Sequence, residues 1–152
     1  MSYDDIKEQF TQQARFFATV GVVLERVGAG EARAVLENRK DISNHLGTLH
    51  AGALFTLGEG ASGAAVGGAF AEEIKSLRAV SSRASIDYLN VAKGVAIAEA
   101  KVVEPIADLR AQLDRDGKAA CHVEVRLSAA SGAEVAVMQV TWLVFKRKER
   151  NS

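Results

Sequence analysis

Between Ala51 and Ala71 the chain runs for 21 residues with Glu59 as its only charge, and six of those residues are glycine. A segment of this length could cross a bilayer. Its large apolar members are few, however (Leu54, Phe55, Leu57, Val66 and Phe70), and a mid-span carboxylate would cost about 2.5 to 3.5 kcal/mol. The segment therefore reads as a buried helix rather than a membrane span. Apolar or small on every side, such a helix must be covered on most sides, and its glycines and alanines let a sheet approach its backbone closely. A sheet is expected to curl around it. Each interior glycine costs roughly 1 kcal/mol relative to alanine, so six of them need a reason, which close packing or close approach of a ligand would supply.

The flanking sequence predicts what does the covering. Tyr3, Ile6, Phe10, Ala14 and Phe17 recur at three- and four-residue steps, the pattern of one amphipathic helix. Val20 to Val27 and Glu31 to Arg39, separated by the Gly28 to Gly30 turn, read as a strand hairpin. Beyond the long helix, Arg78 to Asn90 alternates, with Val80, Ser82, Ala84, Ile86 and Tyr88 on the face expected to be buried. Val95 to Val103 is a further strand, and Ile106, Leu109 and Leu113 mark a short helix with Pro105 at its first position. Ala119 to Leu127 alternates again, while Val135 to Phe145 is apolar on both faces and is expected to lie centrally in the sheet. With no linker or repeat, residues 1–152 read as a single α+β domain with an antiparallel sheet.

Nineteen basic side chains balance nineteen acidic ones, which disfavours nucleic acid and anionic membranes as partners. One cysteine, Cys121, and three histidines, His45, His50 and His122, allow no internal disulfide and no zinc-binding arrangement. Met1 to Phe10 is charged rather than apolar, unlike a secretory signal. A reduced, metal-free, cytoplasmic protein is the expectation. The basic run Lys146 to Arg150 reads as a solvated strand end.

Glu59 shares its helical stripe with Gly52, Phe55, Ser62, Gly63 and Val66, none of which offers a countercharge. Such a carboxylate is either raised by desolvation above its model value of about 4.3 or placed at the edge of a cavity, and both suit a base. The structural alternative is an ion pair with a sheet residue such as Arg83. Gly52, Phe55, Ser62 and Gly63 are the expected substrate contacts. Ahead of the helix, Ser43 to Gly52 forms a polar loop that feeds its amino terminus. There the free N–H groups of Ala51 and Gly52 suit a developing oxyanion, and His50 caps or fixes the turn.

The run Asn44-x-x-Gly47-x-x-His50-x-Gly52-x-Leu54-Phe55-x-Leu57-x-Glu59 resembles the signature of hotdog-fold thioesterases of the phenylacetate-pathway (PaaI-like) type. The insertion around Ile106 to Leu113 and the pair Thr141-Trp142 resemble a little-characterised branch of that superfamily. The resemblance implies a hotdog fold, a curled antiparallel sheet around one long helix. It also implies hydrolysis of acyl-coenzyme A thioesters without a cofactor. In that scheme Glu59 is general base or nucleophile, Asn44 orients the water or the thioester, and the Ala51 N–H forms the oxyanion hole. His50 supports the turn, and Ser82 is a secondary polar contact. Many members carry aspartate where Glu59 stands and glycine where Ala51 stands. Two other activities fit the same residues: an acyl-ligand binder without catalysis, and a hydratase or dehydratase using His50 and Glu59. Glu59 and Ala51 lie eight residues apart, roughly 12 Å along one helix, too far to serve one reacting group. At least a homodimer with shared sites is therefore expected, a homotetramer being the alternative assembly.

Overall fold

The computed structural model describes residues 1–148. Its first helix, α1 (Tyr3–Gln13), opens with a capping box. The Ser2 hydroxyl accepts from the Asp5 N–H and the Asp5 carboxylate accepts from the Ser2 N–H. The stripe expected to form one helix is divided, because Ala14 leaves the helical region at φ −86° and ψ 71° and a second helix, α2 (Arg15–Val20), begins there. The gain is aromatic packing. Phe10 and Phe17 would be about 10.5 Å apart along a continuous helix; across the break their rings stack with centroids 5.1 Å apart.

Gly21 ends α2 in the left-handed region at φ 103°, so β1 (Val23–Gly28) starts three residues later than the sequence pattern suggests. It pairs with β2 (Glu31–Glu37) through a turn at Gly30. The long helix α3 (Ala51–Ala69) follows, then β3 (Leu77–Tyr88), β4 (Val95–Val102), α4 (Ile106–Asp116), β5 (Lys118–Ala129) and β6 (Glu134–Lys146). Pro105 stands just outside α4 as its cap, one position earlier than expected, and Leu109 and Leu113 bury the helix against β5.

The six strands form one antiparallel sheet in the order β1-β2-β4-β5-β6-β3. All six touch α3, so the sheet curls around the helix in the expected hotdog arrangement. β6 is interior, paired on both sides, though it lies one strand from the edge rather than at the centre. The glycines of α3 mark how close its coverings come. A Cβ at Gly68 would fall 1.9 Å from the carbonyl oxygen of Gly28, and one at Gly58 would fall 2.6 Å from the Met138 sulfur. Gly60 faces Phe17, Gly63 faces Trp142 and Phe10, and Gly67 faces Ile6. Four of the six glycines of α3 thus seat β-strand or N-terminal helix residues through Gly58, Gly60, Gly67 and Gly68 at positions that are fully covered. Among the described residues no helix is long and apolar enough to cross a membrane.

Candidate active site

α3 is buried everywhere except along one line. Ala51, Gly52, Phe55, Glu59 and Gly63 are exposed or half-buried, while the remaining residues of the helix are covered. Four-residue steps put Phe55, Glu59 and Gly63 on one face. The open stripe therefore carries the helix's one charge, and five of the residues singled out from the sequence lie along it.

At the amino-terminal end, Asn44 builds the loop that delivers the helix. Its Oδ1 accepts from the Leu46 N–H at 2.9 Å and from the Thr48 N–H at 3.1 Å, and its Nδ2 donates to the Thr48 hydroxyl at 2.8 Å. These hydrogen bonds make the side chain an organiser of its own turn. His50 is the N-cap of α3, and its Nδ1 accepts from the Gly52 N–H at 2.8 Å. This occupies one of the two N–H groups expected to be free. The Ala51 N–H, exposed and without an acceptor among the described residues, is left at the positive end of the helix dipole.

Glu59 stands two turns further on. Burial raises its carboxyl above the ordinary carboxylate value, and the nearby Ser81 hydroxyl offsets part of that rise. Among the described residues no cation contributes to its state, so the ion pair with Arg83 is not formed. Arg83 pairs with Thr141, on the face of the sheet turned away from α3. The neighbouring Trp142 points inward and donates from Nε1 to Ser62 at 2.9 Å. Ser62 itself is fully buried beneath the stripe, and its hydroxyl donates to the Glu59 carbonyl at 2.6 Å. The expectation that Ser62 lies open to a substrate is corrected accordingly.

The placement of Ser82 is also corrected. Ser81 pairs with Trp142 and Arg83 with Thr141, which leaves Ser82 unpaired in a β-bulge. The extra residue breaks the alternation. Leu77, Ala79 and Ser81 face α3 before the bulge and Ala84, Ile86 and Tyr88 after it, as their inward-pointing β6 partners require. Ser82 is exposed and its hydroxyl donates to the Thr141 carbonyl at 3.3 Å, whereas Val80, also expected inside, is 45% exposed. Ser81 is thus the serine beside Glu59. Tyr88 keeps its expected face and gains a contact that periodicity does not announce: its hydroxyl donates to the Ala51 carbonyl at 2.9 Å. One strand therefore reaches both Ala51 and Glu59. Of the basic run at the carboxy terminus, Lys146 to Lys148 border a groove with Arg78 and Phe145, and Glu149 and Arg150 lie outside the described residues.

The fold is shared with solved proteins of low sequence identity. A protein of unknown function from Pseudomonas aeruginosa, described as a probable thioesterase, superposes with a TM-score of 0.82 at 23% identity, covering 97% of each chain. A hypothetical thioesterase protein from Streptococcus pneumoniae TIGR4, solved with coenzyme A, gives 0.69 at 21% identity, covering 91% of this chain and 99% of that one. A protein of unknown function from Chlorobaculum tepidum TLS gives 0.84 at 15% identity over 95% and 94%. No curated protein matches. A family model does, from residue 4 to residue 144. With nearly all of its described length covered, the chain belongs to the family described as Domain of unknown function (DUF4442).

Proposed function

We propose that this protein hydrolyses acyl-coenzyme A thioesters, with Glu59 as base or nucleophile and the Ala51 N–H as oxyanion donor. The observation that carries the reading is the open stripe of α3: a helix covered on every other side leaves uncovered a line holding one half-buried carboxylate with no counterion among the described residues. Such a group is costly to keep without use. In the reaction, the Ala51 N–H would donate to the thioester carbonyl oxygen as negative charge develops there. Glu59 would take a proton from water as the water oxygen bonds to the carbonyl carbon, or attack that carbon itself to form an anhydride that water then cleaves to free acid; in either case the C–S bond breaks and the coenzyme A thiolate leaves and takes up a proton. The likeness to a thioesterase solved with coenzyme A supports that leaving group.

The two groups are roughly 12 Å apart within one chain, and β3 suggests how they meet. This strand forms an open sheet edge, with Ser81 at Glu59 and Tyr88 on Ala51. Antiparallel pairing of β3 with its copy about Ser85, with the Ser82–Arg83 bulge counted as one position in each strand, would set Ser81 opposite the partner's Tyr88 at a strand spacing of about 4.8 Å. Glu59 of one subunit would then face the partner's Ala51, giving a homodimer with two shared sites. The commitment of Asn44 to its own loop favours one second reading, an acyl-ligand binder without turnover. Release of free thiol from acyl-coenzyme A separates the two: wild-type release that disappears in Glu59→Gln supports hydrolysis, and saturable binding without release supports the binder.

A further inference from the structure

The open stripe of α3 ends in aromatic side chains. Trp142, the chain's single tryptophan, is fixed by its Nε1–H, which donates to Ser62, while Ser62 donates to the Glu59 carbonyl. Its ring lies so close to α3 that a Cβ at Gly63 would come within 3.0 Å of it. Its cross-strand partner is Ser81, the serine beside Glu59. Beside it, Phe10 comes within 3.6 Å of the same Gly63 position, and Phe17 stacks on Phe10 while covering Gly60. Gly63 is the residue that admits the indole, since any side chain there would displace it. An aromatic ring with its one polar atom satisfied is a rigid surface rather than an adaptable one.

The geometry points to Trp142 as the end wall of the acyl pocket, restricting the site to short acyl groups; this rests on the thioesterase reading of Glu59. One helical turn, Glu59 to Gly63, spans about 6 Å, room for roughly four or five carbons of an extended chain with C–C bonds of about 1.5 Å. A longer chain meets the indole. Shortening the side chain to alanine opens the pocket, and Trp142→Phe, which keeps a ring but loses the bond to Ser62, gives an intermediate wall that preserves most of the packing.

Two measurements test the wall separately from the chemistry. The first is kcat/KM for straight-chain substrates from acetyl- to dodecanoyl-coenzyme A. Wild type should favour the short members, and Trp142→Ala should raise the ratio of decanoyl to butanoyl turnover at least about tenfold, with Trp142→Phe between them. The second needs no turnover: titration with S-alkyl-coenzyme A thioethers, followed by calorimetry in wild type and both variants and, in wild type, also by the emission of Trp142. Methyl thioether should leave the emission unchanged, butyl should shift it, and decyl should bind wild type at least about tenfold more weakly than it binds Trp142→Ala. Emission indifferent to chain length, with the same length preference in wild type and both variants, overturns the assignment. Length-dependent thioether binding without any thiol release overturns the hydrolase reading and leaves the wall standing.

Discussion

Glu59 carries its charge in the fold against the cost of burial, and that has a sign. Because its folded pKa is raised, the stability it contributes is fully present below the unfolded-state value of about 4.3 and is lost as pH rises through the folded value. Glu59→Gln should therefore melt higher than wild type near neutral pH and no higher in acid below that value, as thermal denaturation at the two pH values would show. The same variant should lose about 100- to 10,000-fold in turnover, the usual contribution of a positioned base. The adjacent serines make a sharper pair. Ser81 lowers the Glu59 pKa, so Ser81→Ala should move the acidic limb of the pH–rate profile to higher pH. Ser82→Ala, on an exposed bulge residue bonded to Thr141, should leave the limb in place. An equal shift in both would return Ser82 to the site. Sequence alone pointed to Ser82 because period-two alternation holds only while the strand stays in register; the bulge that shifts it by one is set by pairing with β6. Glu59 was legible for the opposite reason, since one charge in an apolar helix is visible without any partner.

At the scale of the elements, α3, α4 and all six strands could be read from local pattern, whereas the break at Ala14 could not. The apolar spacing from Tyr3 to Phe17 is continuous, and what interrupts it is the surface of α3, whose glycines leave recesses for both phenyl rings. The glycines were recognisable as needing close neighbours, but not which neighbours. These differ in what they can concede. Gly68 faces backbone, the carbonyl of Gly28, while Gly58 faces the sulfur of a flexible methionine. Gly68→Ala should cost at least about 3 kcal/mol or prevent folding, and Gly58→Ala about 1 to 2 kcal/mol after Met138 moves. Chemical denaturation of the two variants measures the difference; equal costs would mean that the β1–β2 turn yields as easily as a side chain.

For the whole molecule, the hotdog arrangement follows from one helix that must be covered and a sheet long enough to do it. The sequence alone revealed that much. Helix length also sets Ala51 and Glu59 roughly 12 Å apart within one chain. The register of the open β3 edge, with Ser81 beside Glu59 and Tyr88 on Ala51, is set by its pairing with β6 and was not legible in the sequence. The central claim is that each site takes Glu59 from one subunit and the Ala51 N–H from the other, and subunit complementation tests it directly. Ala51→Pro removes the N–H at a position where proline suits a helix start, following His50 at φ −61° and ψ 144°, a conformation that precedes proline readily. It should reduce turnover about 100- to 1000-fold, and Glu59→Gln should do the same or more. Exchanging the two inactive homodimers into heterodimers leaves one site with both groups intact, and thiol release should recover to about half the wild-type rate per heterodimer. Verified heterodimers as inactive as their parents would contradict the shared site.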